Sequence, residues 1–266
     1  MQDRYTGDIG DFGKYGLLRY LLDRIDIKLG INWYLVPNEA HNADGKHIAY
    51  LLNEKQNQAI FRICDSNLYD ALHNLVKPKR IDKRTVASYG SRLVDRIEKS
   101  HIFNTKRLSF YNKRLTPAID RCEWFKNSLT ELADSEVIFL DPDNGLEVES
   151  CPKSNKKSVK YVYYDETIEY LLRGKSLIIY QHRDMKPERE FYKRFLTLLK
   201  KTKEMNIQSN IFSIRFNRYS VREFIFILQK RHSKIKDIVV NSFMRSKWGV
   251  AIQGAKKPHF TFGREF

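Results

Sequence analysis

Val137-Ile138-Phe139-Leu140 is an unbroken apolar run that passes directly into Asp141-Pro142-Asp143-Asn144-Gly145. A short continuous apolar segment bounded by turn residues predicts a strand buried on both faces. Such strands belong to parallel sheets with helices over each face, which restricts the chain to an α/β architecture. In open sheets of this kind, ligands bind in the crevice outside the carboxyl ends of the strands. Two carboxylates and an amide stand at that position here. Asp, Asn, Pro and Gly are also ordinary turn residues, so a plain solvated turn is the competing reading of the same letters.

The rest of the chain supplies the alternation an α/β fold needs. Tyr15, Leu17, Leu18, Leu21, Leu22 and Ile25 recur at helical spacing behind the glycine-rich opening Gly7–Gly13. Ile31 to Val36 predicts a strand, residues 46–53 and 66–76 predict helices, and 77–84 is a basic connection. A helix is expected over 85–99, a short strand at 108–111 and a helix over 117–132. After 137–140 come a lysine-rich loop at 151–160, a helix at 165–173, a strand from Ser176 to Gln181 and a long basic helix over 187–204. Residues 211–216 and 223–228 alternate as an antiparallel pair, and 248–262 adds a last strand. No linker or repeat interrupts the 266 residues, so the expected architecture is one domain, 1–266: a three-layer, Rossmann-like α/β sandwich with a mainly parallel sheet and an antiparallel C-terminal hairpin.

Charge is unevenly distributed. Residues 1–150 hold 22 Lys and Arg against 22 Asp and Glu, while residues 151–266 hold 26 against 10. The whole excess of +16 therefore lies in the second part, and such asymmetry points to a polyanion. With 13% aromatic residues available to stack on bases, the expected partner is nucleic acid, double-stranded DNA before RNA. Lys153, Lys156, Lys157, Lys160 and Arg183 are candidates for its backbone. No apolar run reaches the roughly 18 residues of a membrane span, and the opening lacks a signal-peptide pattern, so a cytoplasmic location is expected. Cys64, Cys122 and Cys151 match neither a disulfide framework nor a metal spacing.

Polar clusters close three of the expected strands. They are Asn38, Glu39, Asn42, Asp44 and His47; Asp141, Asp143, Asn144 and Glu147; and Tyr180, Gln181, His182 and Asp184. Asp8 and Asp11 precede the first helix, where they cap it or reach into a site. If the strands are parallel, these clusters share one edge. Asp141, Asp143, Asn144 and His182 are the candidate catalytic groups, and Asn38, Glu39, Asn42, Asp44, His47, Tyr180 and Gln181, with Asp8 and Asp11, are candidates for substrate binding. His41, His47 and the acids do not form a recognised zinc spacing, and phosphate-cradling glycine loops are missing, so no cofactor is expected.

Val137–Leu140 with Asp141-Pro142-Asp143-Asn144 resembles the Asp-Pro-Pro-Tyr strand end of Rossmann-like base methyltransferases. The segment Tyr5–Leu22 resembles the start of bacterial ribosomal adenine methyltransferases. That resemblance implies S-adenosylmethionine and a target base held at Asp141. Asp141-Pro142 and Tyr180-Gln181-His182-Arg183 also resemble, loosely, the water-activating loop and the later histidine motif of the uracil-DNA glycosylase superfamily. This second resemblance implies an α/β/α sandwich that hydrolyses an N-glycosidic bond without a cofactor. A phage-defence glycosylase removing a modified base would share the chemistry.

Acid and amide stand at Asp143 and Asn144 where the methyltransferases carry an aromatic. The expectation is therefore a DNA glycosylase in which Asp141 or Asp143 activates water and His182 stabilises the leaving base. Tyr161, Tyr163 or Tyr164 would fill the gap in the stack. A base methyltransferase is the alternative, and a metal-dependent nuclease the second alternative.

Overall fold

The computed structural model describes residues 1–39, 45–103, 105–183 and 186–266. Asn42, Asp44 and Asp184 lie outside the described residues. The strands are β1 (Leu29–Asn32), β2 (Pro78–Arg80), β3 (Val86–Ser88), β4 (Leu108–Tyr111), β5 (Val137–Leu140), β6 (Gly145–Leu146), β7 (Tyr161–Val162), β8 (Ser176–His182), β9 (Ser209–Phe216), β10 (Arg222–Gln229) and β11 (Phe260–Glu265). The helices are α1 (Ile9–Leu22), α2 (Lys55–Asn57), α3 (Ser66–Val76), α4 (Val94–Glu98), α5 (Arg121–Glu131), α6 (Tyr164–Leu172), α7 (Glu188–Glu204) and α8 (Lys234–Asp237).

Among the described residues the main sheet has seven strands in the order β11-β9-β10-β8-β5-β1-β4. β4, β1, β5 and β8 are parallel. β10 lies antiparallel between β8 and β9, and β11 is antiparallel to β9. The sheet is thus parallel at its centre and antiparallel on one side. The run 137–140 explains itself once its neighbours are placed. Val137 and Phe139 enter one apolar core with residues of α1, α3 and α4, while Ile138 and Leu140 enter a second core with residues of α5, α6 and α7. Burial on two sides removes the need for polar alternation.

Several boundaries differ from the sequence expectation. β1 ends at Asn32 rather than Val36, because Tyr34 takes a left-handed φ of +44° and its N–H is claimed by Asn32 Oδ1 at 3.1 Å. The helix expected over 85–99 is replaced by β3 and the short α4, since the β-branched start pairs with β2 and Gly90 donates its N–H to the Val76 carbonyl. Residues 49–51 form only a single 3-10 turn, and the last strand is 260–265. α1 starts at Ile9, inside the glycine-rich opening expected to precede it, and includes Gly10, Gly13 and Gly16; the Asp8 carboxylate caps it by accepting from the N–H groups of Gly10 and Asp11.

Candidate functional site

β1, β5 and β8 run in register, Asn32 beside Leu140 and Leu140 beside Ile179, so their carboxyl ends share one edge. α1 presents its first turns to that edge. Lys14, which no sequence pattern singles out, is the pivot. Its Nζ lies 2.7 Å from Asp11 Oδ1 and 2.7 Å from Asp141 Oδ2, with all three side chains almost wholly buried. Asp11 Oδ2 also accepts from the Gly7 N–H at 2.8 Å and the Tyr15 hydroxyl at 3.0 Å. The Lys14 ammonium lies 4.9 Å from the centre of the Tyr180 ring.

Burial alone would discharge such a lysine. The two carboxylates outweigh it and hold the Lys14 pKa above its ordinary value. Burial raises the pKa of Asp11 and of Asp141, and the charge of Lys14 only partly offsets this. One lysine therefore serves two desolvated carboxylates, with the Met1 amino group adding to the positive field at Asp141, and burial still pushes both carboxyls toward holding a proton.

Asp143 is held differently. The Met1 amino group lies 2.8 Å from Oδ1, Gln2 Nε2 donates to Oδ2 at 2.7 Å, and Lys160 Nζ lies 3.9 Å away. Burial works to raise its pKa, but these partners outweigh it and hold the carboxyl below its ordinary value. The Met1 amino group also donates to the carbonyls of Asp141 at 2.8 Å and Tyr34 at 3.2 Å, and Val36 N–H donates to the Met1 carbonyl. Residues 1 and 2 therefore bridge the ends of β1 and β5.

A cavity of about 280 Å³ opens at this edge, just below the usual size range of small-molecule sites. Lys14, Asp141, Pro142 and Asp143 line it together with Asp8, Tyr180, His182 and Arg222. Tyr5 and His47 add ring surface. His182 is half-buried; burial, reinforced by Arg222, pushes its pKa well below the ordinary histidine value, so the ring is neutral. At the rim, Tyr219 in the β9–β10 loop stacks on His47 with ring centres 4.3 Å apart, is 59% exposed, and holds a left-handed φ of +55°. A larger open groove of about 830 Å³ lies between α1, α3 and residues 246–248, but it shares no residue with the strand ends. There Arg19 is paired to Asp65 and Arg62 to Asp70.

The other selected residues separate into those at the cavity and those used elsewhere. Gln181 is fully buried and spends its amide on the backbone, accepting from Leu146 N–H at 2.8 Å and donating to the carbonyls of Asn144 and His182. That bonding ties β6 to β8, and Gly145 permits it: its φ is +99°, and a Cβ there would overlap the Gln181 amide. Asn144 donates its N–H to the Lys160 carbonyl. Glu147 accepts from Tyr164 N–H. Asn38 Oδ1 accepts from Arg4 N–H, and Glu39 pairs with Lys160.

Of the loop lysines, Lys153 pairs with Asp165, while Lys156 and Lys157 are exposed. Arg183 lies 3.3 Å from the buried Glu223. Tyr163 is buried with its hydroxyl on the Cys151 carbonyl, and the Tyr164 hydroxyl meets the Arg194 carbonyl, which leaves neither ring at the cavity. Among the described residues no three His, Cys, Asp or Glu side chains converge closely enough to hold a metal ion. No helix of the described residues is long and apolar enough to cross a membrane. No protein-family model matches the chain, and no curated protein matches it significantly.

Proposed function

We propose that this edge of the sheet is the active site of a DNA glycosylase, with Asp141 as its working carboxylate. The observation that carries the reading is the desolvated Lys14–Asp11–Asp141 cluster on the wall of a cavity of about 280 Å³ lined by rings and Arg222. A base-modifying enzyme must take its target out of the stack and seat it in a pocket of about that kind. Cleavage of the glycosidic bond leaves positive charge on the sugar, and a fixed carboxylate stabilises it. The same carboxylate orients or deprotonates the attacking water. Lys14 positions Asp141. Negative charge develops on the departing base, where Arg222 and the neutral His182 supply donors. Asp143 has a smaller part, since both of its oxygens already meet partners.

The test is incubation with DNA carrying a panel of modified bases, followed by alkali. Cleavage at abasic sites by the parent, lost in Asp141→Asn, supports the reading; intact DNA across the panel refutes it.

One observation favours a second reading, a base methyltransferase. The antiparallel β10 inserted between β8 and β9 suits the sheet of the Rossmann-like methyltransferases that Asp141-Pro142 resembles. The residues present do not fit their cofactor in this arrangement, because Met1 and Gln2 bridge the ends of β1 and β5. Transfer of a labelled methyl group from S-adenosylmethionine to DNA would establish it over hydrolysis.

A further inference from the structure

The half of the chain with no net charge conceals a strongly basic element. Residues 77–92 carry six Lys and Arg against the single acid Asp82. The remainder of residues 1–150 is correspondingly acidic, with 16 basic and 21 acidic side chains. The structure shows what this segment is: β2 and β3 form a two-stranded antiparallel ribbon outside the main sheet. Lys77, Lys79, Arg80, Lys83 and Arg84 are exposed on it.

The only acid of the ribbon does not neutralise them. Asp82 Oδ1 accepts from the N–H groups of Arg84 at 2.7 Å and Thr85 at 2.9 Å, fixing the turn. Among the described residues, Arg80 alone of these cations has an acidic partner in hydrogen-bonding range, Glu54 at 2.5 Å. Two large apolar side chains accompany the charge, Ile81 at 53% and Tyr89 at 63% exposure. The Tyr89 ring lies 5.7 Å from the Lys79 ammonium, so charge and ring surface are presented together.

The base of the ribbon is fastened to α3, and the segment that follows it is tied to the edge of the cavity. Ser88 Oγ and Gly90 N–H both donate to the Val76 carbonyl at the end of α3. Beyond it, Arg92 donates to the carbonyls of Thr6 at 2.8 Å and Gly45 at 2.5 Å, and Gly45 lines the cavity. A polyanion gripped by the ribbon is therefore held beside the proposed active site.

We infer that the β2–β3 ribbon is a DNA-gripping arm that engages double-stranded DNA beside the cavity. This rests on the reading that the substrate is nucleic acid. The basic side chains neutralise backbone phosphates, and a two-stranded ribbon has dimensions that the major groove of B-DNA admits. The major groove of duplex RNA is too deep and narrow for it.

The test is fluorescence anisotropy of a labelled, unmodified DNA duplex across a salt series, with duplex RNA as competitor. The proteins are the parent, Lys79→Ala/Lys83→Ala/Arg84→Ala, and a control with Lys193, Lys200 and Lys203 on α7 replaced by alanine; thermal melting checks that each is folded. The ribbon variant should bind about tenfold or more weakly and lose about 2 to 3 from the slope of log affinity against log salt, as expected for three lost phosphate contacts. The α7 variant should keep the parental slope. A ribbon variant with parental slope overturns the inference and leaves the glycosylase reading standing. A weakened ribbon variant of a parent that releases no base does the reverse. Duplex RNA competing as well as duplex DNA, or equal loss in the α7 variant, also overturns the inference.

Discussion

Lys14 and Arg121 are both largely buried cations held by carboxylates near the ends of the central strands, but it is Lys14 that lines the cavity at their shared edge. Arg121 grips Glu166 with two nitrogens, at 2.6 and 2.9 Å, and spends its remaining donors on the carbonyls of Ser158 and Tyr161. Glu166 in turn accepts from the Tyr34 hydroxyl and the Tyr163 N–H. That cluster is closed: one cation meets one anion through a planar fork, with every neighbour satisfied. Lys14 offers a compact charge shared between Asp11 and Asp141, both of which burial drives toward holding a proton. A buried ion pair is therefore no sign of a site by itself. Carboxyls that burial pushes toward holding a proton, beside open space, are the better sign.

The difference can be broken in order of expected effect. Glu166→Ala strands a buried guanidinium, and chemical denaturation should show about 3–5 kcal/mol of lost stability. Base release per folded molecule should be unchanged. A cost within experimental error would mean that the closed cluster fastens nothing. Lys14→Met leaves two carboxyls whose pKa values are already raised, so they take up a proton rather than remain as bare charges. Its stability loss should be smaller than that of Glu166→Ala, while the base-release rate falls about a hundredfold or more as Asp141 loses its ionised form. Parental activity in that variant would remove Lys14 from the site.

Tyr219→Ala should weaken DNA binding by about 1–3 kcal/mol through lost stacking, and Tyr219→Phe should restore it. Equal binding by all three proteins would exclude the rim from recognition. The gentlest probe is pH. Because the Asp141 pKa is raised, the rate should climb with pH along a limb centred above the ordinary 3.8, and Lys14→Met should move that limb further up. The sign for stability is opposite. The folded protein binds more protons than the unfolded chain in that window, so the contribution of Asp11 and Asp141 is full below 3.8 and declines as pH rises through their folded values. A limb that stays put in Lys14→Met would separate the lysine from the reacting carboxylate.

How much of this was legible beforehand depended on the range of the forces involved. Val137–Leu140 was readable because two-sided burial writes an uninterrupted apolar run. The shared edge of three polar strand ends followed from parallel pairing. Lys14 was hidden: its helix reads as an ordinary amphipathic one, and its carboxylate partner Asp141 lies 127 positions away. Gln181 read as a ligand for bases because nothing local reveals that its amide is consumed by Leu146 and Asn144. Tyr163 and Tyr164 were misleading for a similar reason, as tyrosines beside a lysine loop look exposed until their hydroxyls find distant carbonyls. Averaging charge over residues 1–150 concealed the ribbon, whose cations are balanced by acids elsewhere in the chain.

The fit of Gly145 against the Gln181 amide divides the site into two parts with different freedom to change. The turn that carries Asp141 and Asp143 cannot accept a side chain at Gly145 unless Gln181 also changes, and Gln181 cannot shorten without releasing β6. Single substitutions there are blocked in both directions. Elsewhere at the rim, His47 stacks on Tyr219 and Arg222 donates to the Ser220 hydroxyl, contacts that a substitution loses without the overlap a side chain meets at Gly145. On the glycosylase reading proposed above, single substitutions that alter base preference are therefore expected at those four rim positions rather than in the carboxylate turn.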